Sequence, residues 1–359
     1  MLIETKNRKT IVTWDYISTF NKNTGHFVRL IDPGYCKFGP EILDIEITQG
    51  GNCLGKCDFC YKCNNVASPI HNMSFEVFKC ILDKIGKQLT QVAFGITDVY
   101  ANPDFFKMIS YCREQGIIPN YTTHGLDMDD FAAENTKQLC GAVAVSIDIR
   151  DKAKTKQAMQ AIHLLNKHGM TNVNIHYMLS EETYKLIPIL VALLRHTECK
   201  FKAIVFLQFK NKNNISTYHS VTKPLVYQMI KLWSGVFGFN YGFDSCSSSS
   251  YLNALNKTEY VSDSARQKEL KRQNLYIESC ESTIFSSYIN SKGEFYPCSF
   301  SETGKGLDVI GCKDFRKDIW EHPTTVEFRN KLLASTKKGT IDCIKDCRLC
   351  PVYPEINAW

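Results

Sequence analysis

The sequence predicts an α/β protein built on a largely parallel sheet. From Ile42 to about residue 238, short apolar runs alternate with amphipathic stretches of helical length, six times over. Parallel strands need long crossovers, and helices between them supply those crossovers. The chain has 359 residues, enough for a substantial core and for two domains, or for one large unit with an extension.

The first strand is expected over Ile42 to Thr48, where apolar residues alternate. A helix should start at Ser74, a suitable N-cap, with Phe78, Ile81, Leu82 and Ile85 on one face. Val92 to Ile96 reads as the second strand. The helix from Pro103 carries Phe105, Phe106, Ile109 and Cys112 at helical spacing and should end at Gly116. Ile117 to Thr122 is the third strand, Asp127 to Leu139 a helix, and Ala142 to Ile147 the fourth strand. A helix over Lys154 to Lys167 should stop at His168-Gly169. Val173 to Leu179, a helix from Glu182 to Arg195, Phe201 to Phe209 and a helix from Pro224 to Phe237 complete the series. Six such units suit an open sheet or a partial barrel. Residues 1–40 read as a polar N-terminal extension, residues 244–250 as a loop, and residues 262–273 as a charged surface helix. The rhythm ends near residue 240, which divides the chain into 1–40, 41–240 and 241–359.

The net charge of +6 is mild and calls for neither nucleic acid nor a membrane surface as partner. No apolar run approaches the roughly 20 residues of a membrane span, and the start, MLIETKNRKT, lacks a signal-peptide core. Sixteen cysteines in such a chain imply free thiols and metal ligands in a reducing, cytoplasmic setting.

Three of those cysteines, Cys53, Cys57 and Cys60, form a CxxxCxxC run after the first strand, with Phe59 before the last. Three thiolates can hold a four-iron cluster and leave one iron without a protein ligand. Buried reduced thiols are the plainer alternative, but Asn52, Lys56 and Asp58 are too polar for an apolar segment. Zinc sites mostly use separate CxxC pairs, which this spacing fits poorly. Sites in parallel α/β folds gather at the C-terminal ends of strands, where this loop lies.

The motif resembles the signature of the radical SAM superfamily. That resemblance implies a partial (β/α)6 barrel, a [4Fe-4S] cluster on Cys53, Cys57 and Cys60, and S-adenosylmethionine (SAM) on the open iron. Cys63 would lie outside the cluster. The segment Gly95-Ile-Thr97-Asp98 resembles the family's Gly-Gly-Glu, with Thr97 and Asp98 at the second Gly and the Glu, which implies a hold on the SAM amino group. A strand end with a helix cap is the other reading. Thr123-His-Gly125 resembles Thr-Asn-Gly, and Ser146-Ile-Asp148 resembles a Ser-x-Asp segment contacting the SAM ribose or carboxylate. Ser146 as a turn residue and Asp148 as a cap stay open. Asn174 and His176 alternate along the fifth strand and could face the barrel interior.

The C-terminal cysteines follow a second pattern. Cys280, Gly293 and Cys298 form C–x12–G–x4–C, with Asn290 to Gly293 as a hairpin turn that aims both cysteines to one side. Cys343, Cys347 and Cys350 follow as CxxxCxxCP. The pattern resembles the SPASM and twitch extensions, which hold auxiliary iron–sulfur clusters. It implies one auxiliary cluster, with Cys280, Cys298, Cys347 and Cys350 as ligands and Cys343 as the competitor. A four-cysteine zinc site stays open. Cys246 reads as a further ligand or a loop thiol. Cys36, Cys80, Cys112, Cys140, Cys199 and Cys312 read as packing residues.

The resemblance implies reductive cleavage of SAM to a 5′-deoxyadenosyl radical that takes hydrogen from a substrate. A flavodoxin- or ferredoxin-type protein would supply the electron. The substrate would be a peptide, a protein or a small molecule; residues 1–40 look too short for a leader-binding domain. A non-catalytic iron–sulfur electron carrier or scaffold is the alternative, favoured by the altered Gly-Gly-Glu segment.

Overall fold

Alternation of apolar and polar residues sets the central strands of this protein. The computed structural model describes residues 1–13, 16–30, 34–212, 216–258, 262–265, 268, 278–336 and 348–357. The chain opens with a four-stranded antiparallel meander: β1 (Leu2–Glu4), β2 (Arg8–Val12), β3 (Ile17–Asn21) and β4 (Phe27–Arg29). This corrects the expectation of a polar extension. The strands are short and half polar, but Ile11, Tyr16 and Phe20 are buried.

The repeating part follows as β5 (Ile42–Glu46), the hairpin β6 (Thr48–Gly51) and β7 (Ser68–Asn72), α1 (Phe75–Ile85), β8 (Gln91–Gly95), α2 (Phe105–Glu114), β9 (Ile118–Thr123), α3 (Asp130–Leu139), β10 (Ala142–Ser146), α4 (Lys152–Lys167), β11 (Val173–Leu179), α5 (Ile187–His196), β12 (Ile204–Gln208) and α6 (Pro224–Phe237). Helix α1 shows how the pieces are specified. Ser74 accepts a hydrogen bond from the Val77 N–H, and Phe78, Ile81, Leu82 and Ile85 form the buried face. Each such side chain contributes roughly 1.5–3 kcal/mol on burial.

The C-terminal part adds β13 (Tyr241–Phe243), α7 (Ser248–Asn256), β14 (Ser286–Ile289), β15 (Glu294–Tyr296), β16 (Leu307–Asp308) and α8 (Pro323–Ala334). The run 244–250 is therefore a short 3₁₀ turn, Ser245–Ser247, leading into α7 rather than a loop. Its serines find partners elsewhere: Ser249 and Ser250 donate to the Ile356 carbonyl, at 3.0 and 3.3 Å. Most of the stretch 262–273 lies outside the described residues.

All the central strands join one ten-stranded sheet in the order β13-β12-β11-β10-β9-β8-β5-β14-β15-β16. From β5 to β13 the order never reverses and every pairing is parallel. Right-handed crossovers that always advance in one direction put every helix on one face. Accordingly α1 packs on α2, α2 on α3, α3 on α4, α5 on α6 and α6 on α7. The other face, free of these crossover helices, forms the inside of a partial barrel. Along β11, Val173, Ile175, Tyr177 and Leu179 are buried toward the helices, while Asn174, His176 and Met178 point to the inside. The C-terminal hairpin continues the same sheet, because β14 runs parallel to β5. Gly293 turns that hairpin at φ +78°, a conformation other residues rarely adopt. Among the described residues, no helix is long and apolar enough to cross a membrane.

Candidate functional site

The first cysteine loop hangs between β6 and β7, a hairpin absent from the strand pattern of the sequence because Thr-Gln-Gly-Gly carries little strand propensity. Gly50 makes the hairpin possible: its φ is +76°, and a Cβ there would lie 2.3 Å from the Pro69 carbonyl oxygen. The Gly50 N–H donates to Asn64 Oδ1 at 2.9 Å, and the Cys53 N–H donates to the Asn64 carbonyl at 3.3 Å, closing the loop. Inside it, the N–H groups of Lys56, Cys60 and Cys63 donate to the carbonyls of Cys53, Cys57 and Cys60. These successive turns bring Cys53, Cys57 and Cys60 together, half-buried, and leave Cys63 exposed. Burial pushes the Cys57 thiol up to about 12, and Cys60, Cys53 and Asp148 nearby add to the effect. From α4, Lys154 Nζ donates to the Gly55 carbonyl at 2.8 Å.

The neighbouring strand ends supply the other expected residues. Gly95 ends β8 against the Glu46 backbone, 3.3 Å from where a Cβ would stand. Thr97 is buried, and its carbonyl accepts from Cys53 Sγ at 3.7 Å. Asp98 accepts from the Leu54 N–H at 3.0 Å and sits 2.7 Å from His124 Nε2. Ligand atoms of Cys53, Asp98 and His124 all lie within 4.8 Å of one another. Burial opposes charge on His124, but Asp98 and Cys53 outweigh it and lift the imidazole to about 9. Thr123 Oγ1 accepts from the Gly125 N–H at 2.9 Å and so shapes the turn after β9. Ser146 ends β10 beside His176 of β11. Asp148 holds Arg150 at 2.6 Å, and Arg150 also binds Asp58 of the cysteine loop at 3.0 Å. Phe59 packs edge-on to Tyr218, 5.9 Å between centroids, with the Arg150 guanidinium 5.3 Å over its ring. His124 was missed as a site residue by sequence reasoning. Its only signal was its place in Thr-His-Gly.

A buried charged network ties the loop to the C-terminal hairpin. Lys62 Nζ sits 3.2 Å from Glu46 Oε2 and in close contact with the Tyr288 hydroxyl and Glu302. Beside it the Tyr61 ring stacks on Phe300 at 4.2 Å, and Phe300 meets Tyr353 edge-on at 5.7 Å. The Tyr353 N–H in turn donates to Cys350 Sγ at 3.3 Å.

This leads to a second group of thiols. Cys280, Cys298 and Cys350 are each half-buried, and Cys246 joins them. Burial pushes the Cys280 thiol well up, and the nearby Cys246, Cys298 and Cys350 push it further. Lys210, buried and 3.4 Å from Asp244, faces the same group. Cys246 was left open in the sequence; it stands just beyond the end of β13, the strand whose existence the sequence rhythm did not show. Cys343 and Cys347 lie outside the described residues. Cys36, Cys112, Cys140, Cys199 and Cys312 are buried, as packing residues should be, and Cys80 is half-buried.

No protein-family model matches the chain, and no curated protein matches it in sequence. Solved structures do match. SuiB of Streptococcus suis, bound to the precursor peptide SuiA, aligns over 92% of this chain and 90% of its own at 12% identity, TM-score 0.69. SuiB bound to S-adenosylmethionine aligns over 94% of this chain and 91% of its own at 11% identity, TM-score 0.68. The protein anSMEcpe, with bound AdoMet and the Cp18Cys peptide, aligns over 87% of this chain and 90% of its own at 17% identity, TM-score 0.60. The chain therefore has the fold of the radical SAM enzymes that carry SPASM domains.

Proposed function

We propose that the protein is a radical SAM enzyme acting on a peptide substrate. One observation carries the reading: Cys53, Cys57 and Cys60 converge in the loop between β6 and β7, beside Thr97 and Asp148 just past the ends of β8 and β10, in a fold shared with SuiB and anSMEcpe. The donor set fits a [4Fe-4S] cluster. Burial raises the Cys57 thiol, and the thiols of Cys60 and Cys53 with the Asp148 carboxylate raise it further, a crowding that a cationic iron centre would relieve. When bound, that cluster supplies the electron that cleaves SAM to methionine and a 5′-deoxyadenosyl radical.

The chain's own residues bind and orient. Cys53, Cys57 and Cys60 hold the cluster. Thr97 and Asp98, at the end of β8 with Gly95, receive the SAM amino group. Thr123 shapes the next strand end, Ser146 addresses the ribose or carboxylate through its hydroxyl, and Asp148 accepts from the ribose hydroxyls. Phe59, wedged between Tyr218 and Arg150, screens the loop from water. Cys280, Cys298 and Cys350, with Cys343 or Cys347, hold one auxiliary iron–sulfur cluster in the region 241–359, while residues 41–240 form the SAM-binding core. A flavodoxin- or ferredoxin-type protein supplies the electron. The peptide substrate draws on the peptides bound in the SuiB and anSMEcpe structures.

A second reading, a non-catalytic iron–sulfur carrier or scaffold, draws on Asp98. Its carboxylate already holds Leu54 and His124. Low-temperature electron paramagnetic resonance of iron-loaded, dithionite-reduced protein separates the two. The enzyme reading expects a spectrum that changes with SAM, and a change that disappears in Cys57→Ala. Iron-loaded protein whose spectrum ignores SAM selects the carrier.

A further inference from the structure

Asp44 is a carboxylate placed where a strand gains nothing from one. It lies in the middle of β5, with β8 on one side and β14 on the other. Leu43 and Ile45 point into the core under the helices. Asp44 alternates with them and shares the inner face with Glu46. Glu46 binds Lys62 of the cysteine loop, so this is the face that the loop covers. Although Asp44 is deep in the molecule, its own surface is exposed. The inner face is thus open in front of it, and its register neighbour Ala93 and nearby Gly95 are too small to close it.

Asp44 has no hydrogen bond or ion pair among the described residues. Burial raises it to about 6, with no charged neighbour among the described residues contributing. Of the cations near this face, Lys62 is engaged with Glu46 and Glu302 and Lys210 with Asp244, while the buried Lys212 stands among Lys62, Glu302 and Glu46 and makes no ion pair with Asp44. His176, on the same inner face, is pushed down to about 4 by burial and is neutral. A carboxylate this deep in the molecule, open only toward the inner face, favours a compensating charge or donors, and among the described residues none supplies either.

We propose that Asp44 binds a cationic group of the substrate, an ammonium or guanidinium, so that the inner face accepts a basic side chain of the peptide. The inference rests on reading that face as the substrate site. A charge-assisted pair in this setting discriminates a cation from a neutral isostere by roughly ten- to a hundredfold.

The test uses small probes rather than an unknown peptide. Iron-loaded protein with SAM is titrated with n-butylammonium, n-butylguanidinium and the uncharged n-butylurea, followed by ligand-observed NMR. Expected is saturable binding of both cations, about tenfold or more tighter than the urea, lost in Asp44→Asn and kept in Asp44→Glu. Equal binding of cation and urea, cation binding unchanged in Asp44→Asn, or no saturable binding of either cation overturns the proposal. Should Asp44→Asn fail to fold, Ala93→Leu, which fills the space in front of the carboxylate, is expected to abolish cation binding; unchanged binding overturns the idea equally. SAM cleavage by the wild type is measured on the same samples. Its absence would overturn the enzymatic reading, while the cation preference would still stand or fall on the titration.

Discussion

A carboxylate that loses hydration without gaining a partner destabilises the fold that holds it, and Asp44 makes this measurable. Its folded value of about 6 stands above the ordinary 3.8. Below about pH 4 both folded and unfolded chains keep the proton, and the residue contributes no difference. Between about 4 and 6 the unfolded chain ionises while the folded one does not, so stability falls as pH rises. Above 6 the loss is complete. Asp44→Asn is therefore expected to be more stable than wild type at neutral pH, by on the order of 1 kcal/mol after discounting for solvent at the open face. The gain should vanish below about pH 4. Urea unfolding of both proteins at pH 4 and pH 7 checks this, and an advantage independent of pH would remove the carboxylate as its cause. The residue scale is also where the sequence was least legible. Asp44 was absorbed into an alternating strand, and His124 and Cys246 acquire their neighbours only when loops distant in sequence meet.

Elements were legible where local chemistry and tertiary burial agree. In α1 the cap at Ser74 and the four apolar positions were each where the sequence pattern puts them. In the N-terminal meander they disagree: β2 buries Lys9 along with Ile11, so its inner face reads as polar. That lysine is satisfied by donating to the Leu89 carbonyl at 2.7 Å, a partner 80 positions away that no local pattern reveals. The meander is fastened by Glu41, which is fully buried and accepts from the Tyr16 hydroxyl, from Ser18 at 2.9 Å and from Arg29 at 3.0 Å. Arg29 also reaches Glu281 at 2.6 Å. Arg29→Met leaves the Glu41 carboxylate buried without a cation, and a loss of about 3 kcal/mol or more is expected. Arg29→Met combined with Glu41→Gln should cost less than the sum of the single changes, because the pair is coupled. A double-mutant cycle in urea measures the coupling, and strict additivity would show that the ion pair does not hold the meander.

At the scale of the whole molecule, the sheet ignores the change of rhythm near residue 240. Strand β13 pairs with β12, and β14 pairs with β5 on the opposite side of the same sheet. The ends of the chain also share a core, in which Ile11, Tyr16 and Cys36 pack with Ile284, Phe285 and Leu332. Trp320 is fully buried, and its indole N–H donates to the Cys36 carbonyl at 2.8 Å, across 284 positions of sequence. Contacts this distant in sequence couple the C-terminal region to the repeating core, so the metal-free protein is expected to unfold in one transition. Trp320 is a reporter for the C-terminal side once Trp14, Trp233 and Trp359 are replaced by Phe, while far-UV circular dichroism follows the helices. Coincident urea midpoints by the two signals are the expected result. A Trp320 transition at distinctly lower urea would show instead that the region beyond residue 240 unfolds as a separate unit, with the β5–β14 pairing as a seam between two domains rather than the middle of one sheet.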